Sequence, residues 1–164
     1  MSHPFNVAAG LVLLLALSTV DACAQSLRDI AGAWQLVSAQ SEQGGKMADL
    51  FGSHPRGILT IEANGRYVLV VARTGLPKIA TNNRGTASAE ENNAIVDGSI
   101  AHFGKLAVDT ANRTLDFRIE TSTFPNWDGS EQKRKFTLTG DELRYTNASG
   151  STGSATALVW KRIP

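Results

Sequence analysis

Short segments with the residue pattern of β-strands follow one another along most of this 164-residue chain, and turn signals separate nearly all of them. The clearest turn signal is Asn64-Gly65 between two apolar runs, which predicts a two-residue hairpin turn because Asn and Gly tolerate positive φ. Regular strands with short turns favour a barrel or sandwich over a parallel sheet. We count eight strands, within residues 32–40, 57–61, 66–71, 100–108, 114–122, 131–138, 142–147 and 155–163.

The connections predict two long loops and one short helix. Residues 41–55 are rich in Gly, Ser and charged residues, and residues 74–87 in Gly, Pro, Asn and Thr. Both segments read as loops, the first of which would cover the open mouth of a barrel. Ser88 and Glu91 have the spacing of a capping box, which starts a helix that ends by Gly98. The apolar underside of the first loop would be Met47, Leu50 and Phe51.

The N-terminus has the features of an export leader. Residues 7–20 form an apolar run too short to span a bilayer comfortably, and a small-x-small signal ending at Ala24 follows it. We therefore expect residues 1–24 to be a signal peptide, residues 25–164 to be one barrel domain, and the mature protein to be periplasmic or secreted. Cys23 is the only cysteine, so cleavage after Ala24 leaves no disulfide partner, whereas cleavage before Cys23 would allow lipidation and membrane attachment.

The net charge argues against two classes of partner, and the length of the chain limits the number of domains. The formal net charge is only +1, which argues against nucleic acid or an anionic membrane surface as the main partner. A chain of this length makes one domain with one good core.

Alternation along the strands predicts which residues face inward. In residues 114–122 the apolar positions are odd and include Phe117, and in residues 131–138 the apolar positions are even, which places Arg134 inside with Phe136. By the same reasoning His102 and Tyr145 point inward. Residues 66–73 are too uniformly apolar to decide, so Tyr67 is left open.

The most distinctive stretch of the chain is Phe124-Pro125-Asn126-Trp127-x-Gly129-x-Glu131-Gln132-x-Arg134-x-Phe136. By this and several shorter stretches the chain resembles the small lipocalin-like domain family found in many bacterial and fungal proteins. The resemblance covers most of residues 25–164, and its most specific part is the block from Phe124 to Phe136 that contains Pro125, Asn126 and Trp127. It implies an all-β fold: an eight-stranded antiparallel up-and-down lipocalin-like barrel. The other matching stretches are Gly32-x-Trp34-x-Leu36-Val37-Ser38, Pro55-Arg56-Gly57, Asn64-Gly65-Arg66-Tyr67, His102-Phe103-Gly104, Val108-Asp109, Gly140-Asp141-x-Leu143 and Leu158-Val159-Trp160-x-Arg162.

In a closed barrel the first and last strands are neighbours. A tryptophan near the start, Trp34, can then stack with a cation near the end, Arg162, over the closed floor. Gly32 and Trp160 lie in the same two strands, and together with Trp34 and Arg162 they are predicted to have a structural role.

The lumen of such a barrel holds its own side chains or one small ligand. Arg134 would bind an acidic or carbonyl group of a ligand, or else pair with Glu131 or Glu120 or reach solvent at the rim. His102 is either a ligand contact or an ordinary core histidine, and Trp127 either stacks on a ligand or packs as a cap. The predicted ligand-binding residues are Arg134, His102, Tyr145, Phe117, Phe136, Trp127 and Tyr67.

Three functions are compatible with this pattern. The first is an exported protein that binds a small hydrophobic or amphipathic molecule in the lumen. The second is a barrel enzyme of isomerase or cyclase type that uses lumen Arg, His and Tyr, although the sequence has no Gly-x-Ser-x-Gly elbow and no His/Asp/Glu cluster with metal spacing. The third is a packed structural domain without a ligand. We expect no cofactor and no metal.

Overall fold

The computed structural model describes residues 25–164, so the predicted signal peptide, residues 1–24, lies outside the described residues. The helices are α1 (Leu27–Ile30) and α2 (Ala89–Asp97), with single 3-10 turns at Arg84–Thr86 and Pro125–Trp127. The strands are β1 (Gly32–Gln43), β2 (Lys46–Asp49), β3 (Arg56–Ile61), β4 (Arg66–Ala72), β5 (Ser99–Asp109), β6 (Thr114–Ser122), β7 (Glu131–Thr139), β8 (Glu142–Asn147) and β9 (Thr156–Arg162).

Eight of these strands close into a barrel. From β3 to β8, each strand pairs antiparallel with the strand that follows it along the chain. Strand β1 pairs with β3 on one side and with β9 on the other, and this closes the sheet. This confirms the predicted eight-stranded antiparallel up-and-down barrel. The helix predicted from Ser88 is α2, whose capping box with Glu91 is formed. Within residues 25–164, neither α-helix has the length and apolar character needed to cross a bilayer.

The prediction of a loop over residues 41–55 is wrong in its first half. Strand β1 continues to Gln43 and turns through Gly44 and Gly45 into β2, which pairs with the end of β1. Both glycines have positive φ, 57° and 81°, which is the conformation that a tight two-residue hairpin turn requires. Strand β2 is therefore a ninth strand, which pairs with the end of β1 and lies outside the ring of eight strands that closes the barrel.

Strict alternation along β1 predicts Trp34, Leu36 and Ser38 on one face and Ala39 on the other, and this prediction is wrong beyond Leu36. A β-bulge lies between Leu36 and Ser38, so that one residue is unpaired and the alternation shifts. Ala39 is consequently buried, whereas Ser38 is only partly so. Trp34 and Leu36 are buried as predicted.

The hairpin at Asn64-Gly65 is present, but its turn has four residues, 62–65, rather than two. Only Gly65 has positive φ. The Asn64 side chain instead accepts a hydrogen bond from the backbone N–H of Arg66 at 2.8 Å, which stabilises the turn without a left-handed Asn.

The up-and-down order gives the barrel two different ends. The short turns at 62–65, 110–113 and 140–141 lie at one end, the floor, together with α1. The longer connections at 44–55, 73–98, 123–130 and 148–155 lie at the other end, the mouth. Inward-facing side chains from all eight strands form one continuous apolar core between the two ends.

Candidate functional site

The mouth end of the barrel holds a small, partly open pocket, which we call the mouth pocket. Its volume is about 30 Å³, which is room for one or two water molecules. Apolar side chains of β4 and β5 form its wall, and the mouth connections contribute Leu50, Phe51 and Trp127. The complete lining is Leu50, Phe51, Leu69, Val71, Ile100, His102, Trp127, Arg134, Tyr145, Asn147, Gly150, Ser151, Thr156 and Leu158.

Arg134 is the charged residue of this pocket, and it is only 3% exposed. Strand β7 places it inside because its neighbours of the same parity, Phe136 and Leu138, face the core. Its Nη2 donates to Oε1 of Gln132 at 2.8 Å, and Asn147 donates to the same oxygen at 3.0 Å. The Nε of Arg134 is buried and has no hydrogen-bond acceptor among residues 25–164.

Aromatic rings surround the Arg134 guanidinium. Its central carbon lies 4.1 Å from the centroid of Phe117, 5.3 Å from that of Tyr145 and 5.9 Å from that of Trp127. Such contacts attract a cation to the face of a ring, and burial strengthens them because water does not compete.

The carboxylates proposed from sequence as partners of Arg134 are engaged elsewhere. Glu131 pairs with Arg118 at 2.9 Å and Glu120 pairs with Arg66, all on the outside of the barrel. Within residues 25–164 no carboxylate forms an ion pair with Arg134. Its low exposure also rules out the third alternative, escape to solvent at the rim. The structural explanations offered for this arginine are therefore wrong, and its charge is compensated only by aromatic rings and an amide oxygen.

His102 is a neutral member of the site. Burial, together with the nearby positive charge of Arg134, lowers the pKa of its imidazole to about 3. Its Nδ1 lies 2.9 Å from the hydroxyl of Tyr67, a residue that faces inward and is 2% exposed. Burial raises the pKa of that hydroxyl, so Tyr67 is neutral as well.

The direction of this hydrogen bond follows from the partners available. The Tyr67 hydroxyl has no second partner among the described residues, so donating to Nδ1 is the arrangement that leaves no buried O–H unpaired. The remaining imidazole proton then lies on Nε2, which makes His102 a hydrogen-bond donor beside Trp127, whose ring centroid is 5.7 Å away.

Two further polar atoms are buried without a hydrogen bond, the hydroxyl of Tyr145 and the indole nitrogen of Trp160. The two rings stack with centroids 6.3 Å apart. Burial raises the pKa of Tyr145, and the positive charge of Arg134 opposes the rise.

The predicted ligand-binding residues divide into three groups. Four of them, His102, Trp127, Arg134 and Tyr145, line the mouth pocket. Phe117 and Tyr67 lie behind them and contact Arg134 and His102. Phe136 belongs to the core and does not line the pocket.

The sequence reasoning missed Asn147, whereas it placed Phe51 on the apolar underside of a loop over the mouth but not among the ligand-binding residues. Asn147 follows Leu143 and Tyr145 in steps of two along β8, and that period was a usable signal of an inward side chain. Phe51 carried no such signal because it follows β2 in an irregular connection, where no alternation applies. It is 5% exposed and closes the pocket from the mouth side.

The predicted structural residues meet at the floor. The Trp34 indole N–H donates to the carbonyl of Ile30 at 2.9 Å, and the Arg162 guanidinium lies over the Trp34 ring. Gly32 has a φ of 125°, and a Cβ there would lie 3.1 Å from Nη1 of Arg162. Glycine is thus required where β1 passes under the arginine.

Comparison with known proteins agrees with this architecture. A family model described as a lipocalin-like domain matches residues 31–163. No curated protein matches the chain.

Proposed function

The chain belongs to the lipocalin-like domain family, and on that premise we propose that it is an exported binding protein that holds a small, mostly apolar molecule in the mouth pocket. The observation that carries this proposal is Arg134, a buried guanidinium in a pocket without a carboxylate partner.

A guanidinium in this setting is costly for a barrel that has no use for it. Removing a charge from water is compensated only when the protein supplies both an opposite charge and hydrogen-bond acceptors. Arg134 has one amide acceptor and three rings. A hydrophobic side chain would pack there without that cost, so a binding role explains why an arginine occupies the position.

The size of the pocket limits the ligand. A volume of about 30 Å³ accepts only a few atoms, so any larger molecule must displace side chains at the mouth. Phe51 and Trp127 are the side chains placed to move, since both lie on connections rather than in barrel strands. We therefore expect a compact ligand whose entry shifts Phe51 or Trp127.

Binding can be tested with neutral aromatic probes and a matched pair of variants. Toluene and benzyl alcohol are titrated into the protein while the indole N–H resonance of Trp127 is followed by NMR. Val71 lines the pocket and Val70 is its outward-facing neighbour on β4, 43% exposed. Val71→Phe fills the pocket and should abolish the shifts, whereas Val70→Phe should preserve them. Absence of shifts in the unmodified protein, or equal shifts in both variants, would contradict the proposal.

Export is a separate part of the proposal and rests on the apolar run of residues 7–20 and the signal that follows it. The mass of the mature protein recovered from its host decides the matter. A chain that starts at Gln25 supports release into the periplasm or medium. A chain that starts at a lipid-modified Cys23 supports membrane attachment, and an intact leader in the mature protein contradicts export.

A second candidate function, a packed structural domain, is favoured by one specific observation, the small volume of the mouth pocket. The two candidates differ in what accompanies the native protein. Native mass spectrometry of protein purified from its own host should reveal a bound small molecule if the pocket is a binding site, and none if the barrel is only a scaffold.

A further inference from the structure

We propose that the ligand of the mouth pocket is a compact monocarboxylate, whose carboxylate accepts hydrogen bonds from Arg134 and Tyr145 while its apolar body lies against the wall of β4 and β5. This inference rests on the proposed binding function and specifies the class of molecule bound.

The first support is a surplus of hydrogen-bond donors in the lumen. Among residues 25–164 three buried polar atoms lack partners: Arg134 Nε and Trp160 Nε1 can only donate, whereas the Tyr145 hydroxyl can donate or accept. Of these residues, Arg134 and Tyr145 line the mouth pocket. The nearby acceptor, Oε1 of Gln132, already takes two hydrogen bonds. A ligand that supplies acceptor oxygens would satisfy donors that the barrel leaves unpaired, whereas a ligand that supplies donors would add to the surplus.

Two other hydrogen-bond acceptors near Arg134, one on Asn147 and one on His102, already receive hydrogen bonds. The side-chain oxygen of Asn147 accepts from the backbone N–H of Ser149 at 3.2 Å. The Nδ1 of His102 accepts from Tyr67. The imidazole Nδ1 is therefore unavailable to a ligand, and the amide oxygen keeps one lone pair, so these two groups together offer a ligand donor a single acceptor position.

The third support is charge. Arg134 is positive, and His102 beside it is neutral. The acidic side chains of β6 and β7, Asp116, Glu120 and Glu131, are all paired with cations on the outer surface. One negative charge on the ligand would therefore balance the pocket, whereas an ammonium group would be repelled.

The fourth support is the shape of the recognition surface. Aromatic rings pack around the guanidinium, with Phe117 the closest at 4.1 Å. Its N–H groups project from its edge, in its own plane, and a carboxylate is the planar anion that fits such an edge. A phosphate or sulfate ester is tetrahedral and larger, and a phosphate dianion exceeds the single positive charge present.

Probes that share one ring and differ in the polar group test the inference. Benzoate, benzamide, benzyl alcohol and phenyl phosphate are titrated by NMR at pH 7, with propionate and propionamide as a smaller pair. We expect each carboxylate to bind about tenfold tighter than its amide, because a hydrogen bond to a charged group is worth about that factor in affinity.

Two variants assign the preference to the pocket. Arg134→Met should lower the ratio of benzoate affinity to benzamide affinity from about tenfold to about one, and the outward-facing Val70→Phe should leave this ratio unchanged. Tyr145→Phe keeps the ring and removes one donor, so it should lower the same ratio about fivefold. Far-ultraviolet circular dichroism establishes that both variants are folded, and if one is not, the other decides.

The outcomes separate this inference from the proposal beneath it. If benzyl alcohol and benzamide bind as tightly as benzoate, or if Arg134→Met keeps the carboxylate preference, the ligand is not a carboxylate although the pocket still binds. If phenyl phosphate binds tighter than benzoate, the anion class is wrong. If no probe binds, the binding function itself fails.

Discussion

The guanidinium carbon of Arg162 lies 4.2 Å from the centroid of the Trp34 indole ring, and the two residues are direct partners in the pairing of β9 with β1. The same guanidinium donates hydrogen bonds to the carbonyls of Ala31, at 2.8 Å, and Asp29. The first and last barrel strands and the chain entering them are thus joined by one side chain, which closes the floor.

We expect Arg162→Met to reduce the free energy of unfolding by about 2–3 kcal/mol, since it removes two charge-assisted hydrogen bonds and a cation–π contact. Arg144→Met is the matched control: Arg144 lies on the neighbouring strand β8, its side chain is 58% exposed, and it pairs only with Glu142. Such a surface pair is worth under about 1 kcal/mol. Urea denaturation of both variants measures the difference, and equal losses would show that Arg162 does not hold the floor.

A second prediction concerns Gly104, which lies at a β-bulge in the pairing of β5 with β6. A Cβ at this position would overlap the carbonyl oxygen of Arg118 and lie 2.9 Å from the backbone nitrogen of Glu120. We expect Gly104→Ala to cost at least about 2 kcal/mol, because backbone on both sides must move. Gly85→Ala, in an exposed loop where the nearest atom is 3.4 Å away, should cost under about 0.5 kcal/mol. Thermal unfolding of the two variants checks this, and a stable Gly104→Ala protein would contradict it.

Alternation in the sequence was sufficient to place Arg134 inside the barrel, because Phe136 and Leu138 define the inner face of β7 unambiguously. It was not sufficient for Tyr67. The outward residues of β4, Val68 and Val70, are apolar although they are 51% and 43% exposed, and they hide the period of two. Apolar residues on the solvent side therefore removed the signal.

The remaining features depend on packing that no local pattern records. The bulge at Val37 cannot be recognised from the sequence of β1, because Val37 and Ala39 are both apolar and either could face the core. The size of the mouth pocket depends on how Phe51 and Trp127 fill the end of the barrel, and both lie on irregular connections. The sequence could predict a lumen with an arginine in it, but not how little space that lumen contains.

A third prediction follows from the lowered pKa of His102, about 3 in the folded protein against 6.5 as its ordinary value. Between these values the unfolded chain binds a proton at His102 that the folded chain does not. The free energy of unfolding should therefore fall as the pH is lowered from 6.5, approaching about 1.4 kcal/mol per pH unit.

The measurement is urea denaturation at pH 7.0, 6.0 and 5.0. Over that range the carboxyl groups whose pKa is lowered, those of Asp29, Glu90, Glu91 and Asp109, stay ionised in both states to a first approximation. His102→Gln keeps an acceptor for the Tyr67 hydroxyl and does not titrate, so its stability should change less over the same range. An identical pH dependence in both proteins would mean that His102 is not held neutral by the fold.

The last prediction contrasts the two arginines that lie against aromatic rings. The Arg162 guanidinium donates hydrogen bonds to backbone carbonyls at the floor. Arg134, in contrast, is buried, and among the described residues its Nε has no acceptor and its guanidinium has no carboxylate partner. Replacing a poorly compensated buried charge with a hydrophobic side chain of similar length is commonly neutral or stabilising. We therefore expect Arg134→Met to leave the free energy of unfolding unchanged or to raise it by up to about 2 kcal/mol, opposite in sign to Arg162→Met.

The same variant separates stability from binding when it is melted with and without benzoate. A ligand that binds only the folded state raises the melting temperature, so benzoate should stabilise the unmodified protein and have no comparable effect on Arg134→Met. A loss of more than about 2 kcal/mol without ligand would instead make Arg134 a structural residue, whose contacts with Phe117 and Gln132 outweigh the cost of burying its charge. In that case the main reason for assigning a binding function to this barrel would be lost, and the packed domain would be the better description.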